Sequence, residues 1–118
     1  MIGASKKLLQ AAAGTAAGGA GLDVSEVFST YLYDGTGSAL TVNNGIDLTE
    51  GGLVWLKSRS DNGIHTFYDT ERGAQKVLSS NSTGAQGSDA GGGSTAGLYQ
   101  FNSNGFSVGA DWAGNGNN

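Results

Sequence analysis

The chain holds one histidine, His65, set in an alternating stretch over residues 64–68. A lone imidazole works as a general base only beside a nucleophile and an orienting carboxylate, and one strand position supplies neither. A structural or surface role is the simpler reading. The densest polar cluster is Asp69-Thr70-Glu71-Arg72-Gly73. Asp69 and Glu71 are the only candidates for an acid–base pair. Asp and Gly are ordinary turn residues, so a turn closed by a local acid–arginine pair explains the same residues with less. Asn43-Asn44-Gly45-Ile46-Asp47, with Glu50, offers oxygens to a Ca²⁺ ion, but the spacing of an EF-hand loop is absent. Gly91-Gly92-Gly93-Ser94 lacks the lysine and the strand-to-helix setting of a phosphate-binding loop. It reads as a flexible loop. The sequence thus assigns no catalytic residue, no metal ligand and no cofactor, and the expectation is a protein that is not an enzyme.

Binding chemistry is better represented. Trp55, Trp112, Tyr31, Tyr33 and Tyr99 are the material of a sugar-stacking surface beside Asn- and Gly-rich loops. Core packing accounts for at least three of the five, because buried aromatics pack. At the start of the chain, Ile2, Lys6, Lys7, Leu8 and Leu9 are candidate docking residues for a protein partner.

The elements that must position these residues fall into three zones: 1–13, 14–21 and 22–118. Within the first, GASKKLLQAAA has Ser5 as a possible N-cap and good helix formers after it. Ile2, Leu9 and Ala13 share one face, and Gly14 is placed to stop the helix. A helix of roughly ten residues is unstable alone in water, so it docks on something or frays. A disordered terminus is the equal alternative. The second zone, GTAAGGAG, has flexible-linker composition.

From Leu22 onward the pattern is β. Residues 27–33 are β-branched and aromatic and end in Asp34-Gly35, a strong turn signal. A short alternating strand is expected over 39–43, closed by Asn44-Gly45. The continuous apolar run 53–56, LVWL, reads as the most buried strand, covered on both faces. Strands over 64–68 and 76–78 follow, then a low-complexity loop over 81–95. A last pair over 98–101 and 106–108 is joined by Asn102-Ser103-Asn104-Gly105. Turn signals at this spacing predict a mainly β fold, an antiparallel β-sandwich or jelly-roll-like sheet. The pattern stops without a closing strand, which leaves an open sheet edge of the kind proteins cover. The expectation is a domain that further chain or a partner completes.

Composition limits the partners. The net charge of −4 divides unevenly. Residues 1–21 hold Lys6 and Lys7 and no acid, a charge of +2; the remainder holds four cations against ten acids, −6. So acidic a body is a poor nucleic-acid binder. No stretch reaches the ~20 apolar residues of a membrane span, and Gln10, Gly14 and Thr15 interrupt the apolar core a signal peptide needs. The chain has no cysteine, hence no disulfide and no thiolate chemistry. With 22 glycines its core is thin, and oligomerisation or further chain would support it.

Several runs in fixed order, MIGASKKLLQAAAG, VFSTYLYDGTGSALTVNNGIDLTEGGLVWLKSRS, FYDTERGAQKVLSSNSTGA and FNSNGFSVG, together resemble the N-terminal portion of tail-fibre or fibre-like virion structural proteins of tailed phages, particularly marine and cyanobacterial ones. The resemblance spans nearly the whole chain. It implies a virion protein whose extreme N-terminus joins the tail or capsid while β domains project outward. It also implies a concanavalin-like sandwich at the level of fold class, a longer protein, and a homo-oligomer, commonly a trimer. No heptad or trimer seam is written in the residues. The competing expectation is a glycan-binding β-sandwich module that recognises a host surface.

Overall fold

The structure, a computed structural model, describes residues 21–60 and 62–110. The expected helix and linker, the docking residues Ile2, Lys6, Lys7, Leu8 and Leu9, and Trp112 lie outside the described residues. Among the described residues the chain forms seven strands and one α-helical turn: α1 (Val24–Val27), β1 (Leu40–Asn43), β2 (Leu53–Leu56), β3 (Thr66–Asp69), β4 (Lys76–Ser79), β5 (Gly87–Ser88), β6 (Leu98–Asn102) and β7 (Gly105–Val108), with a 3₁₀ turn over Asp89–Gly92.

The strands make two antiparallel sheets, one of three strands in the order β1-β7-β6 and one of four in the order β2-β3-β4-β5. The fold is mainly β and sandwich-like, as the turn spacing predicts. One cluster of buried side chains joins the sheets: Val42, Leu98, Phe106 and Val108 from the first meet Val54, Leu56 and Tyr68 from the second. The alternation that builds it is visible in β2, where Val54 and Leu56 are buried while Leu53 and Trp55 are exposed.

Polar atoms in this interior are paired. Thr66 is fully buried, and its hydroxyl donates to the Leu56 carbonyl at 3.3 Å. Ser107, also buried, shares hydrogen bonds with the Thr41 hydroxyl at 3.1 Å and the Asn102 amide at 3.0 Å. No buried side-chain nitrogen or oxygen among the described residues is without a partner.

The β6–β7 hairpin turns through Ser103 and Asn104, and the chain there comes very close to β1. Gly105 has φ +146°, and a Cβ at this position would stand 1.9 Å from the Val42 carbonyl oxygen. Only glycine lets the central strand β7 enter its pairing with β1.

Three local expectations are corrected. Residues 27–33 do not form a strand. Asp23 accepts from the Ser25 amide at 2.9 Å and Glu26 accepts from the Asp23 amide at 3.3 Å, a capping box that winds Val24–Val27 into one helical turn. The chain beyond it finds no strand to pair with before Leu40. β2 is not covered on both faces: Leu53 and Trp55 are each 60% exposed. The region over 81–95 is not all loop, since Gly87–Ser88 adds a two-residue edge strand to β4.

Candidate functional site

The outer face of the four-stranded sheet carries the clearest concentration of exposed recognition chemistry. In an antiparallel pair, residues directly opposite share a face. The register sets Trp55 against Phe67 and Phe67 against Leu78, with Leu53 two residues before Trp55 on the same side. Trp55 and Phe67 stack, with ring centroids 5.3 Å apart and planes at 29°. The Trp55 indole Nε1–H donates to His65 Nδ1 at 3.0 Å, and the two rings lie 5.6 Å apart. That bond makes Nδ1 an acceptor, which places the neutral imidazole's proton on Nε2. His65 is itself held from behind: its backbone N–H donates to Asn81 Oδ1 at 3.2 Å, and the Ser79 hydroxyl donates to the same oxygen at 2.7 Å. The result is a broad aromatic face fixed at its polar end, with an N–H donor beside it. Such a face stacks a planar or pyranose ring and offers one hydrogen bond at the rim.

Elsewhere the polar clusters serve the backbone. Asp69 accepts from the Arg72 amide at 2.7 Å and pairs with the Arg72 guanidinium. The Arg72 amide first, with lesser help from the guanidinium's hydrogen bond and charge and from the Glu71 amide, holds the Asp69 carboxyl below its ordinary value against the opposing effect of burial. This is the turn with a local acid–arginine pair. Asp47 accepts from the Thr49 hydroxyl and the Thr49 amide, which likewise lower its carboxyl, and Asn44 Oδ1 accepts from the Ile46 amide at 3.2 Å. Of the side chains that the sequence offered to Ca²⁺, Asn44 and Asp47 thus close turns, and the described residues contain no group of three or more His, Cys, Asp or Glu side chains able to hold a metal ion. Beside them, between α1 and the 46–53 loop, lies a groove of about 290 Å³.

A family profile described as a domain of unknown function, DUF7483, matches residues 23–118. The chain belongs to the DUF7483 family. No curated protein and no solved structure matches it.

Within the DUF7483 domain the four described aromatics suggested for sugar stacking do not share one role. Trp55 is the exposed member of the outer face, and Tyr31 is exposed in the segment before β1. Tyr33 packs on the core, edge-to-face with Phe106 at 6.3 Å and 71°, and burial pushes its hydroxyl up to about 12. Tyr99 is half-buried in β6, in the other sheet. Phe67 and its contact with Trp55 were missed by sequence reasoning. The signal was the two-residue alternation of β2 and β3, legible once their register is known. No helix among the described residues is long and apolar enough to cross a membrane.

Proposed function

We propose that the domain is a non-enzymatic structural component of a tailed-phage virion, a tail-fibre or fibre-like protein whose residues 1–13 attach it to a tail or capsid protein. The observation that supports an assembly role is the run of exposed apolar side chains where the chain enters the domain. Leu22, Val24, Phe28 and Leu32 are each more than 60% exposed. Large apolar side chains left exposed in one short segment are what assembled proteins cover. The virion itself is implied by the ordered sequence resemblance. Ile2, Leu8 and Leu9 would add roughly 300 Å² of apolar surface on docking, several kcal/mol before ordering costs. One copy therefore attaches weakly, and the copies of a homo-oligomer, a trimer by the resemblance, attach firmly through avidity. Deleting residues 1–13 is expected to abolish incorporation of the protein into particles. Unchanged incorporation overturns the attachment role.

A second reading, a glycan-binding module for host-surface recognition, is favoured by the fixed and exposed ring of Trp55. A glycan array probed with the full chain and with Trp55→Ala tests it. Binding that disappears in the variant supports the reading, and its absence from the parent chain at high concentration ends it. Because Trp55 is 60% exposed, the substitution leaves stability within about 1 kcal/mol of the parent.

A further inference from the structure

β2 is an edge of the four-stranded sheet, and the phase of its ladder says which backbone groups it leaves open. The Thr70 N–H donates to the Gly52 carbonyl at 3.1 Å, so Gly52 and Thr70 form a hydrogen-bonded pair. In an antiparallel ladder such pairs alternate with unbonded ones. Val54–Tyr68 and Leu56–Thr66 are then the next bonded pairs, and the N–H and C=O groups of Leu53 and Trp55 point away from β3. The side chains of the same two residues stand on the outer face, each residue 60% exposed. An edge with open backbone groups is a template for another strand, and natural edges are blunted by charge or proline. The four residues of β2, LVWL, carry neither.

We infer that β2 pairs with β2 of a second copy, antiparallel, about a two-fold axis at Val54. The register follows from the phase. The outward groups sit at positions 53 and 55, so this axis sets Leu53 of each copy opposite Trp55 of the other, and each pair exchanges two hydrogen bonds. On the outer face the same pairs are aliphatic–aromatic cross-strand contacts. The neighbouring registers fit less well. An axis at Trp55 sets Leu53 opposite Lys57, and an axis at Leu53 sets Trp55 opposite Gly51. With the axis at Val54, Lys57 comes opposite Gly51 and beside Glu50 of the second copy, so opposite charges meet at both ends of the contact. The Lys57 ammonium already bonds the Ser58 carbonyl and has three donors to give. The two four-stranded sheets join into one, and the two Trp55 side chains become diagonal neighbours with Cα atoms roughly 7–8 Å apart. So few paired residues bury less than the ~1,200 Å² of a standard specific interface, and the pair therefore forms only at high concentration. The contact depends on neither the virion attachment nor glycan binding.

Sedimentation velocity of the purified full chain, from micromolar to millimolar concentration, is expected to show the mass rise from one chain to two. Leu53→Pro removes an outward N–H from each copy and leaves the bonds of Val54 and Leu56 to β3 in place. It is expected to stay monomeric. Phe28→Ser with Leu32→Ser, in the other exposed apolar segment, is expected to dimerise as the parent does. The register has its own test, since the chain has no cysteine. Opposed Cα atoms of a bonded pair lie about 5.5 Å apart, within reach of a disulfide. When Leu53→Cys and Trp55→Cys chains are mixed, the mixed disulfide is expected to form at least tenfold faster than either homodisulfide. A parent that stays monomeric at millimolar concentration or closes as a trimer, a Leu53→Pro chain that dimerises like the parent, or homodisulfides as fast as the mixed one would each overturn the inference. Circular dichroism verifies that the sheets remain, and the cysteine chains, which keep every backbone N–H, carry the test if the proline variant does not fold.

Discussion

At the scale of single residues, Tyr33 couples the core to alkaline pH. Its ring lies against Phe106, and burial raises its hydroxyl from 10.0 to about 12. The unfolded chain ionises first, so the folded state keeps this tyrosine's full contribution below pH 10 and loses it as pH rises through 12. Denaturant unfolding of the parent chain should therefore show stability falling across that window, by up to about 2 kcal/mol from this group. Tyr33→Phe, which has no proton to lose, should fall measurably less. A second residue works through the backbone. Gln75 is the one non-glycine of positive φ among the described residues, at 64°. Its amide donates to the carbonyls of Gly93 and Ala96 at 2.7 and 3.0 Å, and its own N–H donates to Leu98 in the opposite sheet at 2.8 Å. An unfavourable backbone conformation persists where surrounding bonds over-determine it.

At the scale of elements, the Gly-rich segment 87–97, which Gln75 also holds, is tied to β3 by one side chain. Tyr68 is fully buried, and its hydroxyl donates to Asp89 Oδ2 at 2.7 Å. A hydrogen bond to a carboxylate contributes about 1.5–3 kcal/mol. Tyr68→Phe keeps the ring in the core and removes that bond. The urea midpoint should drop accordingly, and amide exchange over 87–97 should quicken more than in β6 and β7. This clamp was invisible in the sequence, because nothing in the composition of GSDAGGG says that a tyrosine 21 residues before the aspartate will reach it. The turns were legible, since Asn44-Gly45, Asp69 to Gly73 and Asn102 to Gly105 announce themselves by residue type. The strand expected over 27–33 failed for a physical reason: β propensity is a fit to neighbouring strands, and here no neighbour exists while a capping box lies within reach.

At the scale of the whole molecule, the antiparallel, mainly β architecture followed from turn spacing, but neither that spacing nor the apolar runs said which side of each strand forms the core. The aromatic face followed from neither. Leu53-Val54-Trp55-Leu56 reads the same whether its second face is covered or open, and only the assembled sheet shows Trp55 exposed beside Phe67 and His65. The pairing of the first strand with the last was equally hidden, and it has a mechanical meaning. Leu40 lies opposite Val108, and Asn43 opposite Gly105. The chain therefore enters β1 and leaves β7 at the same end of the pair. A pull applied between the two sides of the domain loads that end alone and parts the ladder one rung at a time, instead of shearing all rungs together. The three-stranded sheet opens like a zip under tension, at low force, while the four-stranded sheet between residues 53 and 88 lies off the load path until the zip has run.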